Sequence, residues 1–274
     1  MRKFGWILSA LISLTLSQTA DAQFRWRQGT VLNYQVQHLT TAAEILDNKE
    51  SKTKTQLDLT KRWKVVDVDA TGVATMQLSL LAMRLEVTNP SGGKMLFDST
   101  SAEKSDEHLR EQLAKFVGQP LALLRIDSLG RVVEVKESKH GPASRFELEP
   151  PFLLNLPAEE LKSSLAWERP YKITLEPPQG AGDKFDAIQK YTCTATADGT
   201  ATIAFTTALQ NQPENMLDRV PLLQMQPEGE VVIDTVNGRL LSGTLKIERE
   251  LKGHQGEGSS YRFQSTYTEK LLDK

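Results

Sequence analysis

Two stretches far apart in the chain carry the same short text. Leu121 to Glu137 reads LALLRIDSLGRVVEVKE, and Glu230 to Ile247 reads EVVIDTVNGRLLSGTLKI. In each, an apolar run ends in Ile-Asp, a turn closes on glycine and arginine, and a second apolar run leaves. Ile126-Asp127 with Gly130-Arg131 answers to Ile233-Asp234 with Gly238-Arg239. Apolar runs on either side of a turn that ends in glycine specify a β-hairpin, because glycine reaches the positive φ such turns need. A chain that carries this hairpin twice is constrained to a mainly β fold of two related halves.

Period-two alternation elsewhere supports the same plan. Leu32, Tyr34 and Val36 alternate with Asn33, Gln35 and Gln37; Ala74, Met76, Leu78 and Leu80 alternate with Thr75, Gln77 and Ser79. In the second half Tyr191, Cys193, Ala195 and Ala197 alternate with threonines, and Asp198-Gly199 turns the chain as Asp69 to Gly72 does in the first. The expected architecture is therefore β with minor α: two antiparallel meanders forming curved sheets or a half-open barrel. The polar stretch Thr40 to Ser51 reads as a loop, and Asn211 to Pro227, with three prolines, reads as irregular.

The halves differ by one change of period. Across 105–117, Leu109, Leu113 and Phe116 fall at helical spacing and Gly118 with Pro120 ends the run, which predicts an amphipathic helix covering an open face of the sheet. Residues 141–170 are proline- and leucine-rich, and Pro157-Ala158-Glu159-Glu160-Leu161 looks like the first turn of a short helix running to Trp167. The expected organisation is a signal peptide over 1–22, a first β half over 23–140, an ordered crossover over 141–170 and a second β half over 171–274.

The signal peptide is read from Arg2 and Lys3, the apolar stretch Phe4 to Leu16, and Ala20-Asp21-Ala22 before Gln23. The apolar run is about 13 residues, short of the roughly 20 a spanning helix needs. The chain is thus expected to be periplasmic or extracellular, cleaved after Ala22, with no transmembrane segment after cleavage; an uncleaved anchor is the alternative. Removing Arg2, Lys3 and Asp21 from 33 Lys plus Arg and 35 Asp plus Glu leaves 31 against 34. A mixed surface of that kind lacks the basic stripe that nucleic-acid binding asks for. Cys193 is the only cysteine, so no internal disulfide can form, and in an apolar strand it reads as a small buried hydrophobe.

Few residues point to chemistry. His38, His108, His140 and His254 include no pair at metal-ligand spacing, so no metal and no cofactor are expected. His140 and His254 lie in polar loops and read as solvated, whereas His38 falls on the apolar register of its strand. No Gly-x-Ser-x-Gly elbow or phosphate loop occurs, Glu159 and Glu160 read as first-turn helix residues, and Asp127 and Asp234 read as turn residues. No catalytic residue is assigned. The inward-facing set mixes small, flexible and aromatic residues, and the candidate apolar ligand face is Trp63, Met76, Tyr191 and Phe205. The favoured function is non-catalytic binding of a lipid-like or polymeric envelope component or contact with an envelope protein, for which Ser260 to Leu271 offers an edge strand. The alternative is a hydrolase of cell-surface polymer, its site assembled from acids at the loops.

The order of signal peptide, β-meander, crossover ending in LPAEELKSSLAW and second meander resembles uncharacterised secreted β-rich families of planctomycete-type bacteria. The resemblance rests on Leu156-Pro157, Trp167 and the Ile-Asp-turn hairpins. It implies export and a β fold, and it implies no activity or site residue.

Overall fold

The computed structural model describes residues 23–147, 154–177 and 179–272, so the expected signal peptide lies outside the described residues. Twelve strands form one antiparallel sheet. In the first half they are β1 (Val31–Leu46), β2 (Lys49–Val68), β3 (Ala74–Thr88), β4 (Lys94–Asp98), β5 (Pro120–Ile126) and β6 (Val132–Ser138). The second half supplies β7 (Ala166–Leu175), β8 (Asp183–Ala197), β9 (Thr200–Leu209), β10 (Glu228–Asp234), β11 (Arg239–Lys252) and β12 (Ser260–Leu271).

Their order is β6-β5-β3-β2-β1-β12-β11-β10-β9-β8-β7, with β4 added to the far half of β3. The first meander spreads outward from β1 and the second runs inward to β12. The two chain ends therefore meet in the middle, and the sheet stays open because β6 and β7 do not pair. Ser260 to Leu271 is not an edge: it pairs with β1 on one side and β11 on the other. Its backbone groups are already used, so augmentation there is ruled out.

The two similar hairpins occupy similar surroundings. Asp127 Oδ1 accepts hydrogen bonds from the Leu129 and Arg131 amides, and Asp234 Oδ1 accepts from the Val236 and Asn237 amides. In both, the arginine after the glycine returns to the aspartate, Arg131 Nε at 2.6 Å and Arg239 Nε at 3.3 Å. Gly130 and Gly238 take φ of 83° and 61°, as the turns require. Between these two turns runs the segment that precedes β1. Phe24 N donates to Ser128 O, Trp26 Nε1 to Asp127 O, and Arg25 N to Gly238 O. This strap clasps one turn from each half, with the Phe24 and Trp26 rings stacked at 5.0 Å.

The crossover closes the same end from inside. Leu156 N donates to Leu129 O, Trp167 Nε1 to Asn155 O, and Cys193 N to Leu165 O, so the segment is tied first to a turn of the first half and then to β8. Its Phe146, Leu154, Leu156 and Leu161 join the core. The helical turn in this segment lies at Ala143–Glu147, whereas Pro157 to Leu165 runs as bends and turns. Tying Ser164 and Leu165 to the β8 backbone replaces the bonds a helix would have made among themselves.

Three further expectations are corrected. Thr40 to Ser51 is not a loop: β1 runs to Leu46, Asp47 and Asn48 turn at φ of 48° and 59°, and β2 starts at Lys49. Pairing with β12 and β2 holds Thr40 to Ile45 extended, and pairing with β1 alone holds Lys49 to Ser51. Within the stretch read as irregular, Met216–Leu223 forms helix α2 with Pro221 inside it, because Leu222 has an apolar cluster to enter. The amphipathic helix is present as α1 (Glu107–Leu113) followed by a 3-10 turn to Phe116, yet it buries no residue and rests on β4. Only Phe116 reaches the main core, where it meets the His140 ring edge to face at 4.5 Å.

Candidate functional site

Trp63, Met76, Tyr191 and Phe205 come from β2, β3, β8 and β9, and the sheet gathers all four into one cluster. Each is 3% exposed or less, so none lines open space. Trp167 of the edge strand stacks on Tyr191 at 5.3 Å, and Phe205 tilts against it at 6.1 Å. Burial pushes the Tyr191 hydroxyl up to about 12, with Arg169 opposing the shift, and its proton goes to Gln189 Oε1 at 2.7 Å. The same burial raises the Cys193 thiol, which makes it an inert core group.

Beyond this cluster the strands of the second half cross a polar layer. Along β8 the inward sequence is Tyr191, Gln189, Ala187; along β9 it is Phe205, Thr207, Leu209. Gln189 Nε2 donates to Thr207 Oγ1, and Arg169 Nη1 donates to Gln189 Oε1. On the far side lies a second apolar cluster of Ile173, Leu175, Ala187 and Leu222, with Tyr171, Phe185, Leu209 and Met225 against it. Sequence reading missed this cluster because α2 supplies its cover.

Beside that second cluster, at the open seam, is a hollow of about 280 Å³ between the crossover turn, edge strand β7 and the end of α2. Tyr171, Ile173, Pro142 and Met225 give it an apolar wall; Arg145, Lys172 and Glu176 also line it, with Lys172 Nζ held by Asp186 at 2.5 Å. The Arg145 guanidinium lies over the Phe146 ring at 4.9 Å and donates to His140 O, which fixes its position. The hollow can accept a narrow apolar group carrying an anionic end.

In the middle of the sheet the core face holds a buried ion pair. Lys61 Nζ is 2.8 Å from Glu269 Oε1, their side chains 2% and 0% exposed. Tyr267 OH donates to Glu269 Oε2 at 2.7 Å and accepts from Lys61 Nζ at 3.3 Å. Burial, reinforced by the Glu269 charge, drives the Tyr34 hydroxyl well above its ordinary range, and it donates to Leu240 O. His38 sits half-buried on this face as its register indicates, with Nε2 at 2.7 Å from Ser265 Oγ. His254, read as solvated, is instead buried: Nε2 is 2.8 Å from Glu44 Oε1 and the ring meets Tyr261. Its loop folds back on β1, a long-range contact that local polarity does not reveal.

Two turn acids that a hydrolase could draw on, Asp69 and Asp234, are engaged within their turns, whereas Glu160 and Asp198 line an open hollow of about 330 Å³. Asp69 is lowered to about 2, first by the Thr71 hydroxyl and then by the Thr71 and Val73 amides and Arg125. For Asp234 burial works upward, but Asn237 and Arg239 outweigh it and hold the carboxyl below its usual range. A general acid needs the opposite displacement. Among the described residues no three of His, Cys, Asp and Glu stand together as a metal set.

No family model matches the chain, and no curated protein matches it. Solved structures similar to it include lipovitellin, described for its lipid–protein interactions, at 13% identity and a TM-score of 0.46. That alignment covers 90% of this chain, which spans 25% of the lipovitellin chain. DynF of the dynemicin biosynthesis pathway of Micromonospora chersina is 8% identical over 98% of this chain and 94% of its own, with a TM-score of 0.24. A β-barrel-like protein of a domain of unknown function from Brucella abortus is 9% identical over 90% of this chain and 100% of its own, also at 0.24. At these scores the likenesses carry no weight for what this chain binds.

Proposed function

We propose that this chain is an exported, non-catalytic binding protein for an amphipathic, lipid-like molecule, matured by removal of residues 1–22 and related to the secreted planctomycete-type families it resembles. The observation behind this reading is the unsealed seam. Beside β7, which has no strand partner on its outer side among the described residues, an apolar hollow opens next to the second cluster with Arg145 and Lys172 at its walls. An acyl chain would lie against Tyr171, Ile173 and Met225, and its charged head would meet Arg145, Lys172 being already paired with Asp186. Trp63, Met76, Tyr191 and Phe205 are the deeper wall in this reading, reached only when the crossover side chains packed with them give way.

Native mass spectrometry on protein taken from its own source without refolding, followed by organic extraction, tests the assignment. A mass increment that extraction converts into free lipid is the expected result. Bare protein together with no lipid in the extract would overturn it.

A further inference from the structure

The face of the sheet opposite the core carries a separate feature. Strand register places Lys94, Thr88, Lys54, Thr41, Gln264 and Glu248 in one row across six adjacent strands. The neighbouring row holds Glu86, Gln56, Leu39, Thr266 and Lys246. These rows line two hollows, about 540 Å³ on the Lys94 side and about 290 Å³ on the Lys246 side, which share Leu39 and Thr41. Together they make one trough running across the strands. At a strand spacing of about 4.8 Å, six strands give it a length of roughly 24 Å.

Its chemistry is selective. Lys54 and Lys246 have no ion-pair partner among the described residues, nor has Lys52 beside them. Of the acids in the rows, Glu86 is paired with Lys94 and Arg84, while Glu248 accepts from the neutral Gln264 amide and keeps its charge two residues from Lys246. The Thr41, Thr88 and Thr266 hydroxyls make no side-chain hydrogen bond among the described residues. Leu39, 42% exposed, is an apolar group shared by both hollows of the trough. Free cations three strands apart, about 14 Å, are too sparse for duplex DNA, which carries a charge every ~1.7 Å. They suit a polymer whose carboxylates can reach two points about 14 Å apart, with hydroxyls between them.

We propose that this trough binds an extended acidic glycan, with uronate carboxylates at Lys54 and Lys246, ring hydroxyls at the threonines, and a sugar's apolar face on Leu39. This face lies on the other side of the sheet from the seam, so the two sites can fail independently.

Calorimetry on the whole chain, with a hexasaccharide of uronic acid as the probe, tests the site. A neutral hexasaccharide, poly-glutamate and duplex DNA serve as comparators. Saturable binding of the uronate is expected, with the comparators at least about tenfold weaker. Lys54→Glu with Lys246→Glu should weaken it by about tenfold or more through charge, and Thr41→Val with Thr266→Val by about threefold to tenfold through lost hydrogen bonds. Unchanged melting temperatures establish that both pairs of changes leave the fold intact. The proposal is overturned if the uronate does not bind, if poly-glutamate or DNA binds as tightly, or if the threonine pair changes nothing. Lipid content measured in parallel reports on the seam and is expected to be the same in both variants.

Discussion

Lys61→Met is expected to lower the unfolding free energy by about 3 to 5 kcal/mol, because it strands Glu269 as a buried carboxylate without its cation. Both side chains are almost wholly shielded and sit on the core face of the two long strands that flank β1, Lys61 opposite Tyr34 and Glu269 opposite Val36. The hydrogen bond from Tyr267 remains, but a neutral hydroxyl does not balance the charge. Replacing both members, Lys61→Met with Glu269→Leu, removes the charge as well as its partner. That double variant should return to within about 1 kcal/mol of the natural chain or exceed it. Urea unfolding of the two singles and the double gives the coupling directly. A single variant as stable as the natural chain would mean that the pair is not buried as described.

Gly238→Ala is expected to cost about 3 kcal/mol, while Gly72→Ala, also at a positive φ, costs about 1 kcal/mol. The difference lies in what each methyl would meet. At Gly72 there is nothing within 4 Å, whereas at Gly238 a Cβ would stand 2.5 Å from Gln23 O and press on the Arg25 amide. The strap must then leave the turn and expose Phe24, which is 3% exposed in place. In a chain that starts at Gln28 the strap is gone, and Gly238→Ala should cost no more than Gly72→Ala. Equal costs in the full chain would show that the clasp between the halves contributes nothing.

Much of this architecture is written locally. Alternation at Leu32, Tyr34 and Val36, or at Ala74, Met76 and Leu78, marks strands with one buried face, and all six side chains are buried. The Ile-Asp-turn-Gly-Arg text marks two hairpins whose aspartates do the same work in the same geometry. Long-range contacts decided what was not legible. Thr40 to Leu46 and Lys49 to Ser51 are extended because neighbouring strands hold them, and no side-chain pattern announces that. Which strand becomes an edge depends on β1 and β12 meeting, a pairing between the two ends of the chain.

The candidate ligand face was legible as a set and not as a surface. Trp63, Met76, Tyr191 and Phe205 do converge, but the crossover side chains that share their cluster come from a segment whose packing the sequence leaves open. The seam hollow could not be read at all, since it combines Arg145, Tyr171 and Met225 from three elements. Helix α2, which covers the second cluster beside it, contains a proline and lies within a stretch that looks irregular.

The most direct measurement is titration of the intact chain with a dansylated undecanoic acid, followed by fluorescence, in parallel with Met225→Arg. Met225 is half-buried on the wall of the seam hollow, so an arginine there fills part of it. Saturable one-to-one binding with blue-shifted emission, weakened about tenfold or more by the arginine, is the expected result. Absence of saturable binding, or binding that Met225→Arg leaves unchanged, would contradict it.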